Sequence, residues 1–248
     1  GLNFRYLTLL VKPDDLADAF RGMRAMNFRG INLTVPHKVE ALKYVDELSE
    51  EVRLIGATNT IVNDGGRLTA YNTDGKGFVT GIEKQGVSLS GKRVVMLGAG
   101  GAARAIAVEC SLAGVAEMTI INRDAEKGGA LAALLNEKTG CRASFTPWAG
   151  VAPIPSCDIL INATSVGLYP DPNCPSIRYE DIKSGMIVQD VIPNPADTLF
   201  LQKARQRGAT ALDGLNMLVY QGAIGFTLWT GLDAPVDVMR QALERENA

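Results

Sequence analysis

The chain has 248 residues, 46% of them hydrophobic and 21% charged, a composition that excludes a disordered or fibrous protein and suffices for one large or two ordinary globular domains, two being the better reading. Its net charge of -2 gives no broad attraction for nucleic acid or an anionic membrane, so any anionic ligand must be met by a local site. His37 is the single histidine, which excludes a Ser-His-Asp triad elsewhere in the chain and any multi-histidine metal centre.

No apolar run reaches membrane-spanning length, and the opening GLNFRY has no secretory pattern. Cys110, Cys141, Cys157 and Cys174 are scattered without a CxxC spacing, so reduced packing thiols are expected rather than disulfides or a metal site, in a cytoplasmic protein. In chain order, Phe4 to Val11 reads as a strand, and Pro13-Asp14-Asp15 starts a helix with Leu16, Phe20 and Met23 on one stripe. Gly30 to Leu33 is a second short strand. Pro36 stops it from continuing as a central ladder strand, which puts Thr34 and Lys38 at a strand-to-helix junction, where polar side chains face a cleft.

Val39 to Leu54 has helical composition. The turn signal Asn63-Asp64-Gly65-Gly66 pairs Thr58 to Val62 with Leu68 to Tyr71 as a hairpin, Phe78 to Lys84 resumes a helix, and Ser88 to Lys92 reads as the crossing into the next domain. Val94 to Leu97, an apolar strand, then runs straight into Gly98-Ala99-Gly100-Gly101-Ala102-Ala103. The spacing Gly98-x-Gly100-x-x-Ala103 fits the dinucleotide fingerprint: a tight turn, a close backbone approach to pyrophosphate, and a helix whose free N–H groups and positive dipole end meet the phosphates.

Beyond it, Met118 to Ile121, Arg142 to Phe145, Asp158 to Asn162, Met186 to Val191 and Thr210 to Leu212 read as strands, with helices over Ala102 to Ala113, Ala130 to Asn136 and Ala196 to Gln206. That alternation predicts a parallel, doubly wound sheet with its ligand at the carboxyl ends of the strands. Gly214 to Trp229 is a long apolar segment, and Pro235 to Arg245 closes the chain as a surface helix. The strand Met118 to Ile121, the second of the domain after Val94 to Leu97, ends in Asn122-Arg123, with Lys127 one turn on, where NAD enzymes carry an acid for the ribose 2′-hydroxyl. A cationic neighbourhood there favours NADP, Arg123 being able to clamp a phosphate.

Asn32-Leu33-Thr34-Val35-Pro36-His37-Lys38, Gly56-Ala57-Thr58-Asn59-Thr60, Tyr71-Asn72-Thr73-Asp74-Gly75 and Asn162-Ala163-Thr164-Ser165-Val166-Gly167 resemble, in order and separation, the signatures of the shikimate dehydrogenase family. The segment Gly214 to Ala223, with Trp229-Thr230-Gly231, looks like that family's C-terminal motif. The resemblance implies an α/β enzyme of two domains: a substrate-binding domain over residues 1–88, completed by returning helices of 214–248, and a Rossmann dinucleotide domain over 89–213. It implies reversible reduction of 3-dehydroshikimate to shikimate by NADPH, in chorismate and aromatic amino-acid biosynthesis. Two departures stand out. The family's opening strand and Ser-x-Ser loop do not precede Gly1, which reads as an N-terminally incomplete sequence; and Pro193 stands where the family commonly has a tyrosine.

By the same resemblance, Lys38 carries the proton transfer and Asp74 positions it, the two meeting at the cleft; an adjacent carboxylate should raise a lysine pKa while burial lowers it, and sequence does not decide between them. Thr34, Asn59, Gln221 and Tyr220 are the expected substrate contacts, with capping or hairpin bonds inside the protein as the alternative for the first three. Asn72 serves either turn geometry or substrate. The dinucleotide is expected on Gly98, Ala99, Gly100, Gly101, Ala102, Asn122, Arg123 and Lys127, with Thr164, Gly167, Gly214 and Met217 at the nicotinamide end, Met217 being equally consistent with core packing. Asp124, where NADP members often have threonine, leaves mixed NADP and NAD use open, and with it a quinate/shikimate dehydrogenase using NAD. The remaining alternative is a non-catalytic dinucleotide-binding regulatory protein. The expected partners are small molecules, shikimate, 3-dehydroshikimate or quinate, with neither nucleic acid nor membrane, in a monomer or homodimer.

Overall fold

A computed structural model of the protein describes residues 2–246. Its contacts divide the chain into two compact units, one up to Tyr71 and one from Asn72 onward. The first opens with a 3₁₀ turn, Pro13–Asp15, and helix α1 (Leu16–Ala25), followed by β1 (Gly30–Asn32), α2 (His37–Glu40), a 3₁₀ turn at Ala41–Tyr44, β2 (Glu47–Leu48), α3 (Glu50–Ile55), β3 (Thr60–Asp64) and β4 (Arg67–Tyr71). Its four strands lie in the order β1-β3-β4-β2, antiparallel except for the β2–β4 pair. The stripe Leu16, Phe20 and Met23 of α1 is buried against Ile61, Leu68 and Ala70 of the sheet, each side chain contributing about 2 kcal/mol of apolar burial.

Two expectations fail in this unit. Phe4 to Val11 forms no strand; it pairs with no ladder, and Tyr6, Leu7, Leu9 and Leu10 are exposed. The segment is tied down at points instead: Tyr6 Oη donates to Asn32 Oδ1 at 2.8 Å, and Val11 O lies 2.9 Å from His37 Nε2. Val39 to Leu54 is not one helix, because Glu47 and Leu48 pair with Thr69 and Ala70, and sheet pairing overrides a helical composition. The hairpin is as expected in pairing, with Asp64 opposite Arg67 across Gly65-Gly66.

The second unit comprises α4 (Thr73–Glu83), β5 (Arg93–Leu97), α5 (Gly101–Leu112), β6 (Glu117–Asn122), α6 (Ala125–Lys138), β7 (Arg142–Pro147), β8 (Ile159–Asn162), β9 (Ile187–Asp190), α7 (Leu199–Gln206), β10 (Thr210–Leu212), α8 (Leu215–Thr230) and α9 (Val236–Glu246). All six strands are parallel, in the order β10-β9-β8-β5-β6-β7. The chain runs outward from β5 to one edge and then from β8 to the other, so the strand order reverses between β5 and β8. A crevice opens at the carboxyl ends of the strands at such a reversal. Val95, Leu97, Leu160, Val188 and Phe200 form the core beneath it.

Helix α4 lies against α8 closely enough that only glycine fits at position 77: a Cβ there would stand 2.6 Å from Gln221 N. Asn72, buried, caps α4 by accepting the Asp74 N–H at 3.1 Å, which is the turn-geometry role of the two weighed for it.

Candidate active site

The crevice of the second unit is walled on one side by the loop after β5. Gly98 has φ +105, a conformation only glycine adopts without strain, and a Cβ there would sit 2.9 Å from Ala163 O and 3.1 Å from Thr164 Cγ2. The first fingerprint glycine therefore lets the ends of β5 and β8 close on each other. Ala99 is buried behind it, whereas Gly100, Gly101 and Ala102 are exposed at the start of α5. A Cβ on Gly100 or Gly101 would meet nothing within 4 Å, and no side chain caps the helix. Open space in front of an uncapped helix N-terminus fits a pyrophosphate: the dipole end and unengaged N–H groups point where the anion would lie.

At the end of β6, Asn122 Nδ2 donates to Asp124 O at 2.8 Å. Asp124 accepts the Lys127 N–H at 3.0 Å, capping α6, and its carboxylate lies 3.4 Å from Lys127 Nζ. That backbone hydrogen bond and the neighbouring ammonium hold the Asp124 carboxyl below its ordinary range. Lys127 is thus partnered by Asp124, and the contact also ties down that carboxylate. Arg123 is exposed, and among the described residues its guanidinium has no protein partner. The donor set fits a dinucleotide carrying a 2′-phosphate, with Arg123 as the group to clamp it.

The opposite wall is built from side chains. Asn162 and Asp190 are register partners at the ends of β8 and β9, both wholly buried. Asn162 Nδ2 donates to Asp190 Oδ1 at 3.0 Å, and Asn162 Oδ1 accepts from Thr164 Oγ1 at 2.7 Å. Asp190 also accepts from Thr198 Oγ1 at 2.7 Å and from Ile192 N at 3.2 Å. Burial nonetheless dominates and pushes the Asp190 carboxyl up to about 6. Sequence reasoning missed Asp190 and Thr198 as parts of this wall. The available signal was that two neighbouring parallel strands each end in a polar residue, ILIN and IVQD, at the pole where ligands gather.

Thr164 is half-buried and Gly167 buried on the loop beyond Asn162. Gly214, buried, packs so tightly that a Cβ would stand 2.5 Å from Ile192 O, which fixes the start of α8 and hence the half-buried Met217 and Tyr220. Gln221 donates to Leu218 O at 3.1 Å and sits beside Gly77, one turn beyond Asp74. Asp74, Gln221 and their helices are therefore brought together within this unit. An open cavity of about 780 Å³, lined by Val87, Lys92, Asp158, Lys183 and Met186, lies at the other pole, by the N-terminal ends of β5, β8 and β9, away from these residues.

In the first unit, Thr34, Lys38 and Asn59 are gathered by backbone hydrogen bonds. Leu33 N donates to Asn59 O and Thr58 N to Lys38 O, each at 2.8 Å. Thr34 is exposed, Lys38 half-buried, and Asn59 buried with its Oδ1 accepting from Thr60 Oγ1 at 3.1 Å. Among the described residues no group of histidine, cysteine and carboxylate side chains is placed to hold a metal, and no helix is long and apolar enough to cross a membrane.

A parallel doubly wound sheet with a glycine cradle at its strand-order reversal and an arginine at the end of the next strand defines a nicotinamide-dinucleotide-binding α/β protein. Family models narrow it: residues 1–61 match the shikimate dehydrogenase substrate binding domain, 81–169 shikimate / quinate 5-dehydrogenase, and 214–244 the shikimate 5'-dehydrogenase C-terminal domain. The chain is 42% identical to a shikimate dehydrogenase (NADP(+)) of Desulforamulus reducens, over 100% of this chain and 87% of that protein. Among solved structures, the ligand-free 5-ketofructose reductase of Gluconobacter sp. strain CHM43 matches with a TM-score of 0.91 and 48% identity, covering 95% of this chain and 85% of that one. The shikimate 5-dehydrogenase of Listeria monocytogenes in complex with shikimate and NAD matches with a TM-score of 0.88 and 35% identity, covering 95% and 84%. The chain belongs to the shikimate dehydrogenase family.

Proposed function

We propose that the chain reversibly reduces 3-dehydroshikimate to shikimate with NADPH, as an oxidoreductase of chorismate and aromatic amino-acid biosynthesis. The observation that carries this reading is the 42% identity, across the whole of this chain and 87% of the relative, to a shikimate dehydrogenase (NADP(+)), with Lys38 and Asp74 present in their motifs. Bound NADPH supplies the hydride. Lys38 moves the proton to and from the reacting oxygen, and Asp74 orients that hydroxyl. Thr34 and Asn59 offer hydrogen bonds to the substrate's hydroxyls, as Gln221 does, and Tyr220 reaches its carboxylate. Gly98 to Ala102, Asn122, Arg123 and Lys127 hold the dinucleotide, with Lys127 acting through Asp124, and Thr164, Gly167, Gly214 and Met217 line the nicotinamide end. We assign residues 1–88 with 214–248 to the substrate domain and 89–213 to the dinucleotide domain; the close packing of α8 on α4 supports grouping 214–248 with residues 73–83. The enzyme works in the cytoplasm as a monomer or homodimer, in keeping with four free cysteines.

Lys38→Ala is expected to lower kcat about 10²- to 10⁴-fold while NADPH affinity, read by fluorescence titration, stays within about twofold. Unchanged turnover would remove Lys38 from the mechanism.

A second reading rests on the 48% identity to the 5-ketofructose reductase: reduction of a neutral keto sugar by the same proton and hydride steps. Initial rates with 3-dehydroshikimate and 5-ketofructose, each with NADPH and NADH, and with quinate in the oxidative direction, separate the readings. The first predicts the highest kcat/KM for 3-dehydroshikimate with NADPH; a preference for the ketose would install the second.

A further inference from the structure

Outside the dinucleotide crevice, Cys174 and Lys203 form a pair that none of these steps uses. Cys174 sits on the segment after β8, and Lys203 Nζ, on α7, donates to its Sγ at 3.2 Å. The lysine is held in place: its Nζ lies 4.7 Å above the centroid of the Tyr179 ring, and Tyr179 Oη donates at 3.0 Å to the carbonyl of Pro175, the residue after Cys174. The other three thiols are shielded. Cys110, Cys141 and Cys157 are buried, and burial pushes all three upward, Cys157 to about 12. Cys174 is partly exposed, so a small oxidant meets it first.

We propose that Cys174 and Lys203 are a redox modification site, joined by a sulfur–nitrogen bond when a peroxide oxidises the thiol. In the first step the thiol sulfur is oxidised to a sulfenic acid and the peroxide is reduced to water. In the second, the Lys203 ammonium gives its proton to solvent and the amine attacks sulfur. The S–N bond forms, the S–O bond breaks, and the hydroxyl leaves with the second amine proton as water. The sum is thiol plus ammonium plus hydrogen peroxide giving sulfenamide, two waters and one proton. Sulfenic acids condense with nitrogen in this way when one is near, and here it is already in contact.

The bond would join the loop carrying Thr164 and Gly167 to α7. Asn173, next to Cys174, has its carbonyl oxygen 3.0 Å from where a Cβ on Gly167 would lie, and α7 is capped by Thr198, which donates to Asp190. The partners are 29 positions apart, so the closed loop also restricts the unfolded chain.

The test treats the purified chain with stoichiometric hydrogen peroxide, followed by intact mass, peptide mapping and melting. The intact mass should fall by two hydrogens, with one cross-linked peptide pair containing Cys174 and Lys203, a Tm rise of about 5 °C, and reversal of all three by dithiothreitol. Lys203→Arg should keep the contact with Tyr179 but divert Cys174 to a dimedone-reactive sulfenic acid, without mass loss or the Tm rise. Cys174→Ser should leave the mass unchanged. The proposal is overturned by a disulfide, by first oxidation at another cysteine, or by equal dimedone labelling of the wild type and Lys203→Arg. These readouts need neither substrate nor NADPH, so they stand apart from the assays of the proposed activity.

Discussion

The ends of β5 and β8 flank one crevice and are built by opposite means. After β5 the wall is backbone: glycines, exposed N–H groups and space, with no side chain engaged. After β8 it is a chain of side-chain hydrogen bonds running from Thr164 through Asn162 and Asp190 to Thr198. A backbone wall is sensitive to volume and indifferent to charge, whereas a side-chain wall is sensitive to every missing donor, because each group in it is buried.

The largest expected effect comes from adding volume to the backbone wall. Gly98→Ala forces a Cβ into Ala163 O at a φ of +105, so it should both destabilise the fold and weaken NADPH binding about 100-fold, roughly 3 kcal/mol. Gly101→Ala, which meets nothing in the protein, should leave Tm unchanged and weaken only binding. Fluorescence titration with thermal melts of both variants breaks the comparison if Gly98→Ala binds and melts like the parent.

Next is the cation beside the backbone wall. Arg123→Ala should raise KM for NADPH about 30-fold, near 2 kcal/mol, and leave KM for NADH unchanged, since the guanidinium is expected on the 2′-phosphate alone. Equal losses for both cofactors would instead put Arg123 on a group that they share.

The two walls were unequally legible in the sequence. The glycine loop and its strand follow from spacing and an apolar run, since a φ of +105 and a close approach demand glycine itself. Thr34 and Lys38 stood out as polar residues at a junction and Asn59 through the family resemblance, and the backbone bonds between residues 33–38 and 58–59 gather them within one unit. The Asp190 network was invisible because its members lie 28 and 8 positions apart and meet only when β8 and β9 pair in register. Phe4 to Val11 misled for a related reason: strand-like composition does not make a strand, which also requires a neighbour to bond. Glu47 and Leu48 erred in the opposite direction, a helical composition yielding to a partner at Thr69 and Ala70.

On the side-chain wall, Thr198→Val removes the hydroxyl that donates to Asp190 while keeping its shape. One oxygen of a buried carboxylate then loses its donor, at about 1.5 kcal/mol, and the Asp190 pKa should rise further. Chemical denaturation of the variant at pH 7 measures the first, and its pH dependence the second. A loss as small as that of an exposed threonine would mean that Asp190 finds another donor.

The smallest effect carries the sharpest sign. The folded Asp190 carboxyl, at about 6, lies above its unfolded value near 4, so the native state holds more protons than the unfolded chain between those limits. Through this group, stability is greatest below about pH 4 and is lost as pH rises through 6. Between pH 5 and pH 7 the loss is about 1 kcal/mol. The carboxyls of Asp46, which is exposed, and of Asp158 and Asp181, which are half-buried, are shifted downward, so their contribution is lost on acidification below about pH 4, outside this window. Asp190→Asn cannot titrate, and the difference in unfolding free energy between parent and variant should therefore move by about 1 kcal/mol from pH 5 to pH 7, in favour of the variant at the higher pH. A difference that stays flat would mean that the three donors hold the carboxylate charged throughout, and that hydrogen bonding has outweighed burial at the end of β9.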